Sequence, residues 1–143
     1  MRFFLSLAFL SLFIACNNQP ADTSANTPPP RPQADTVLIV LGPLEFDTLL
    51  NTKRNIMLFD LRSAEDFARG HLWRATNMDG RDSLFYHRLA ALGRENEFAL
   101  YDNIGSLALE AGRKMKGYGF KRIYVLRDGL TTWGQAGRAL QLN

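Results

Sequence analysis

The chain has 143 residues, enough for one domain of ordinary size, and its 46% apolar and 22% charged residues are those of a folded globular protein. The formal net charge is only +3, with no basic block interleaved with aromatics, which argues against nucleic acid as a partner. Cys16 is the one cysteine, so a disulfide within the chain and a thiolate zinc site are both excluded; His71 and His87 have no second ligand at metal spacing, and no metal or cofactor is expected.

The chain opens with Met1-Arg2, then an apolar run over residues 3–15 that closes on Cys16. A charged start, a short apolar core and a small residue before the cut describe a secretory signal peptide. The run is shorter than the roughly 20 apolar residues of a helix that spans a bilayer. Phe13-Ile14-Ala15-Cys16 resembles the lipobox of bacterial lipoproteins, with Phe13 where leucine is usual. The resemblance implies that residues 1–15 are removed and that Cys16 becomes an acylated (palmitate-bearing) first residue. The domain would then sit outside the cytoplasm, held to a membrane of the bacterial envelope by lipid. Asn17 follows the cysteine, and no aspartate stands there as an inner-membrane retention signal, so the outer membrane is favoured if the cell has two. Residues 16–35 carry Pro28-Pro29-Pro30 and Pro32 among small polar residues. Such a composition cannot bury a core and favours an extended polyproline spacer, about 3.1 Å per residue. The folded domain is expected over residues 36–143.

Within it, residues 36–41 form a β-branched strand stopped by Gly42-Pro43, and Leu44, Phe46, Leu49 and Leu50 then fall on one helical face. Residues 56–61 read as a buried central strand, Ser63 as a helix start, and residues 75–78 as a short strand. Asp82 or Ser83 is a candidate cap for a helix with Phe85, Leu89 and Leu92 on its apolar stripe, closed by Gly93. Residues 97–101 form a strand that runs into a polar turn. The next helix turns Leu107, Ala108, Ala111 and Met115 inward and Glu110, Arg113, Lys114 and Lys116 outward, ending at Gly117 or Gly119. Residues 122–126 are the last strand and 129–136 the last helix. Strands alternating with helices predict an α/β fold, a mostly parallel sheet covered on both faces.

Three segments, in order and at matching spacing, resemble landmarks of the rhodanese-like domains. Leu58-Phe59-Asp60-Leu61-Arg62, followed by Glu65, Phe67 and Gly70-His71, is similar to that family's "Asp-Val-Arg … Glu-Glu-Phe … Gly-His-Ile" region. The turn from Asp102 to Ala108 has the length of its active-site loop. Gly119-Phe120, then residues 121–126, Asp128-Gly129 and Trp133 are similar to its closing segment. The resemblance covers about residues 36–138 and implies the rhodanese-like fold. Asp60, Arg62, Gly70, His71, Asp128, Gly129 and Trp133 become framework residues. Asp60 and Arg62 suit an ion pair bracing adjacent loops, with Arg62 helping to hold an anionic ligand as the alternative; His71 suits a hydrogen-bonded turn and Trp133 a core anchor.

In that family the loop opens with a cysteine that carries persulfide sulfur; here the loop is Asp102, Asn103, Ile104, Gly105, Ser106, Leu107 and Ala108. A carboxylate cannot form a persulfide, and no thiol follows Cys16 to replace it. The loop also supplies no arginine or lysine for an anionic substrate. The chain is therefore expected to be a sulfurtransferase-like pseudo-enzyme with no catalytic residue. Asp102, at the mouth of a loop lined with N–H groups, is expected to fill the anion site itself. A binding or regulatory module with an envelope protein as partner follows, with Ile104 and Leu107 as the contact surface. Three alternatives stand beside it. One is an enzyme forming an aspartyl intermediate on Asp102 with Mg²⁺, for which Asp60, Asp79 and Asp128 are the candidate companions. The others are a residual sulfur-transfer role that borrows a partner's thiol, and a lipoprotein whose fold merely supports a role elsewhere on its surface.

Overall fold

The computed structural model describes residues 35–142. Cys16, the apolar run before it and the proline-rich stretch lie outside the described residues.

Five strands and five helices alternate: β1 (Val37–Leu41), α1 (Pro43–Thr52), β2 (Met57–Asp60), α2 (Ala64–Arg69), β3 (Thr76–Asn77), α3 (Phe85–Ala91), β4 (Glu97–Tyr101), α4 (Ser106–Gly117), β5 (Arg122–Leu126) and α5 (Gly129–Gln135). The strands form one sheet in the order β1-β5-β4-β2-β3, and every pair is parallel. This is the α/β architecture that the alternation of elements predicts. The central strands β4 and β5 send alternate side chains to opposite faces and pack a core on each, while the edge strand β1 stays largely exposed. Along β4, Phe98 and Leu100 enter one core with α3 and α4, while Ala99 and Tyr101 enter a second core with Phe46 of α1 and Trp133 of α5. The same alternation divides β5, with Ile123 and Val125 on the first side and Tyr124 and Leu126 on the second. Full burial of side chains such as Phe98, Leu100 and Ile123 contributes about 1.5–3 kcal/mol each. Trp133 packs edge-on against Phe46 with ring centroids 6.5 Å apart. No helix among the described residues is long and apolar enough to cross a membrane.

Local details follow the sequence closely, with two corrections. Ser63 does start α2, its hydroxyl accepting the Asp66 N–H at 3.2 Å. Leu44, however, is not on the buried face of α1. It is 64% exposed in the first turn, and Phe46 is the one fully buried residue of that helix. Neither Asp82 nor Ser83 caps α3; Leu84 holds that position. Asp82 instead builds the turn ahead of the helix, its Oδ1 accepting the Leu84 N–H at 2.8 Å and its carbonyl the Phe85 N–H at 3.0 Å.

β4 has neighbours on both sides, so its C-terminal end opens at the middle of the sheet edge. That is where an α/β fold gathers loops around a ligand.

Candidate functional site

β4 delivers Tyr101 fully buried and Asp102 only 4% exposed into the loop. The chain then reverses onto α4 through Gly105 at φ +80°. A Cβ on Gly105 would lie 2.7 Å from the Asp128 backbone nitrogen, so a left-handed backbone and a close approach both require glycine here.

Glycine at the N-cap of α4 has no side chain to satisfy the orphan N–H groups of the first turn. Asp102 does so from the preceding strand. Its Oδ1 accepts the Ile104 N–H at 2.8 Å and the Gly105 N–H, and its Oδ2 accepts the Ala108 N–H at 3.0 Å. Both carboxylate oxygens are therefore engaged by backbone donors, at the end of a helix whose dipole favours negative charge. The loop's carbonyls are tied down too. The Leu130 N–H donates to the Asp102 carbonyl at 2.9 Å and the Thr131 N–H to the Asn103 carbonyl at 3.0 Å. Asp128 at φ +54° and Gly129 at φ +59° make the bend that brings those two α5 donors onto the loop. Asp128-Gly129 thus acts on the loop's backbone, and Ser106 and Leu107 open the helix behind it.

Asp60 and Arg62 brace the neighbouring loop. Arg62 Nε donates to Asp60 Oδ1 at 2.9 Å and Nη2 to Oδ2 at 2.6 Å, a fork in which Asp60 is fully buried and Arg62 is 7% exposed. Arg62 Nη2 also donates to the Gly70 carbonyl at 2.6 Å, and the Arg62 N–H to Asp60 Oδ1 at 3.0 Å. Burial alone would lower the Arg62 pKa, but the hydrogen bonds and charge of Asp60 outweigh it and the net shift is upward. Burial, and then the charge of Asp60, push the Tyr101 phenol far above its ordinary value. It stays a neutral hydroxyl that accepts the Leu72 N–H at 3.0 Å. His71 lies in the turn after α2, stacked on Phe67 with ring centroids 3.9 Å apart and its Nδ1 3.1 Å from the Phe67 carbonyl oxygen.

A pocket of about 270 Å³ opens above the loop, lined by Arg62, Asp66, Arg81, Asp102, Asn103, Ile104, Ser106 and Leu107. Arg81 is the residue that sequence reasoning missed. It belongs to no motif and arrives from the segment between β3 and α3, where the Gly80 N–H bonds the Leu61 carbonyl at 3.0 Å. The loop itself carries no cation, yet the pocket over it holds two, opposed by the carboxylates of Asp66 and Asp102. Leu107 is half-buried and packs against Gly80 and the α3/α4 core, so Ile104, 64% exposed, is the apolar side chain that the loop presents to solvent. Leu107 and Ile104 both line that pocket, Leu107 from its wall and Ile104 from its exposed rim. Among the described residues, no three His, Cys, Asp or Glu side chains gather in a group that could hold a metal ion, and Asp60, Asp79 and Asp128 do not join Asp102 in one.

A family model described as "Rhodanese-like domain" matches residues 43–136. No curated protein sequence matches the chain. Among solved structures, a rhodanese-like domain protein from Staphylococcus aureus superposes with a TM-score of 0.62 at 15% identity, covering 73% of this chain and 98% of that one. The polysulfide-sulfur transferase homodimer from Wolinella succinogenes gives 0.60 at 24% identity, covering 74% and 80%. Thiosulfate sulfurtransferase from Pseudomonas aeruginosa gives 0.62 at 15% identity, with 73% of this chain matched to 20% of that one. At these identities the likeness to the solved structures is one of fold. The family model spans most of the described domain, from the first residue of α1 to the residue that caps α5, and on that ground the chain belongs to the rhodanese-like domain family, a sulfurtransferase fold.

Proposed function

We propose that this domain does not transfer sulfur itself and serves as a rhodanese-like binding or regulatory module, tethered through an acylated Cys16 to a membrane of the bacterial envelope. One observation carries the reading. The carboxylate of Asp102 accepts the Ile104, Gly105 and Ala108 N–H groups, the donors that a persulfide or an incoming anion would need. Sulfur transfer requires a polarisable thiolate that can hold a second sulfur atom, and Asp102 stands at the mouth of the loop in its place. The same bonds disfavour an aspartyl intermediate, because a carboxylate with donors on both oxygens is stabilised as an anion and weakened as a nucleophile. Ile104 is the side chain that such a module would offer to a protein partner, beside the exposed cation of Arg81.

The test is sulfur transfer from thiosulfate to cyanide, followed as thiocyanate, with the full chain and with its Cys16→Ser variant. Both are expected at the uncatalysed background. Turnover in the Cys16→Ser protein that disappears with Asp102→Asn would refute the reading.

A further inference from the structure

A second pocket, of about 180 Å³, shares no residue with the one over the Asp102 loop. It opens on the α1/α5 side of the sheet, between the end of α1, the start of β2 and the segment joining α2 to β3. Its floor is made of Ile56, Leu58, Leu72 and Trp133, all at most 6% exposed. Water in such a cavity needs two to four polar partners, and these side chains offer it only the Trp133 N–H, which already donates to the Ala139 carbonyl at 3.3 Å. An apolar group that displaces poorly held water gains affinity. The volume is that of a single ring, since an apolar cavity of about 150 Å³ accepts benzene.

The rim narrows the chemistry. Trp73 is 61% exposed, an unusual position for the largest apolar side chain. It is held there by its neighbour: Arg74 adopts φ +69°, a left-handed conformation that an arginine rarely takes. The Arg74 guanidinium stacks 5.4 Å from the indole centroid and donates to the Arg54 carbonyl at 2.5 Å and the Leu50 carbonyl at 3.4 Å. A locally strained turn pinned to the end of α1 so as to display a tryptophan is a reason to look for a ligand. Of the charges on the rim, Asp47 pairs with Arg138, and the Arg74 guanidinium donates to two backbone carbonyls. A charged group set over the apolar floor would give up its hydration with no polar partner beneath it, which favours an uncharged ring. Asn51 lines the same rim, and its amide has no hydrogen bond with a described residue.

We propose that this pocket is a second binding site, independent of Asp102, that takes an uncharged aromatic ring bearing one hydrogen-bonding group, with the ring beside Trp73 over the apolar floor and its polar group at Asn51. The free ring and the side chain of a tyrosine in a polypeptide share this chemistry.

The experiment titrates the ¹⁵N-labelled full-length chain with p-cresol, toluene and N-acetyl-tyrosinamide and follows amide and indole shifts. Saturable shifts at Asn51, Trp73 and the Trp133 indole are expected, with p-cresol tighter than toluene. Trp73→Ala, a change at an exposed side chain, should weaken p-cresol at least fivefold. Asn51→Ala should erase the preference of p-cresol over toluene. Binding of p-cresol alone supports a small-molecule ligand, and binding of N-acetyl-tyrosinamide as well supports a tyrosine side chain; either supports the site. Shifts that do not saturate, shifts centred on the 102–108 loop, or an affinity unchanged by Trp73→Ala overturn it.

Discussion

Asp102→Cys, in a chain that also carries Cys16→Ser, is expected to yield a thiol that iodoacetamide alkylates at neutral pH about tenfold faster than the thiol of Ser83→Cys, placed at an exposed position. The loop already holds an anion at this position with the N–H groups of Ile104, Gly105 and Ala108 and the N-terminal end of α4. Those donors favour a thiolate over a thiol, and such settings lower a cysteine pKa from about 8.5 into the range of roughly 3.5–7.5. At pH 7 the reactive fraction then rises from a few per cent to between about a quarter and nearly all of the population. Alkylation would proceed by attack of the introduced thiolate on the methylene carbon with loss of iodide, and its pH profile would report the shifted pKa. A pH profile at position 102 that coincides with that of the exposed position 83 would show that the loop does not stabilise an anion.

Arg62→Ala is expected to lower unfolding stability by about 3–5 kcal/mol, the usual cost of leaving one member of a buried ion pair alone. Asp60 has no exposed surface, and Arg62 provides two legs of its fork together with the link to the Gly70 carbonyl. The remaining carboxylate would keep the backbone N–H of residue 62 and the Tyr101 hydroxyl, both uncharged donors. A domain of this size has about 5–15 kcal/mol in all, so the variant should unfold at much lower urea. The double variant Asp60→Leu/Arg62→Met removes both charges at similar volume and should lose less than Arg62→Ala alone. A loss under about 1 kcal/mol for Arg62→Ala would mean that solvent reaches Asp60 and that the pair braces nothing.

Periodicity and turn chemistry carried the fold. β4 and β5 show in the continuous apolar runs Phe98 to Tyr101 and Ile123 to Leu126, and each strand starts one residue before its run and ends with it. The Asp102 loop was legible because its neighbours in space are also its neighbours in sequence: a strand end, a glycine and a helix start. Arg81 was not, since nothing local links it to residue 102; only the register of β2 with β3 and the packing of Gly80 on Leu107 carry it there. Leu44 has helical spacing from Phe46 and its companions, yet it lies in the first turn of α1 and is exposed there. Asp82 illustrates a competition within one residue, whose carboxylate can cap a helix or close an Asx turn two residues on. The Trp73 pocket had no signature at all, because its walls come from four separate segments.

The measurement that bears most directly on the account is a thiosulfate titration of the wild-type chain and of Asp102→Ala, read at the amides of Ile104, Gly105 and Ala108 against a chloride series of equal ionic strength. No saturable shift is expected in the wild type, whose carboxylate already occupies those donors, and saturable binding is expected in Asp102→Ala, where they are released. The bound anion should also raise the melting temperature of that variant by mass action. Saturable thiosulfate binding at the same three amides in the wild type would contradict the account, because Asp102 would then leave the anion site open.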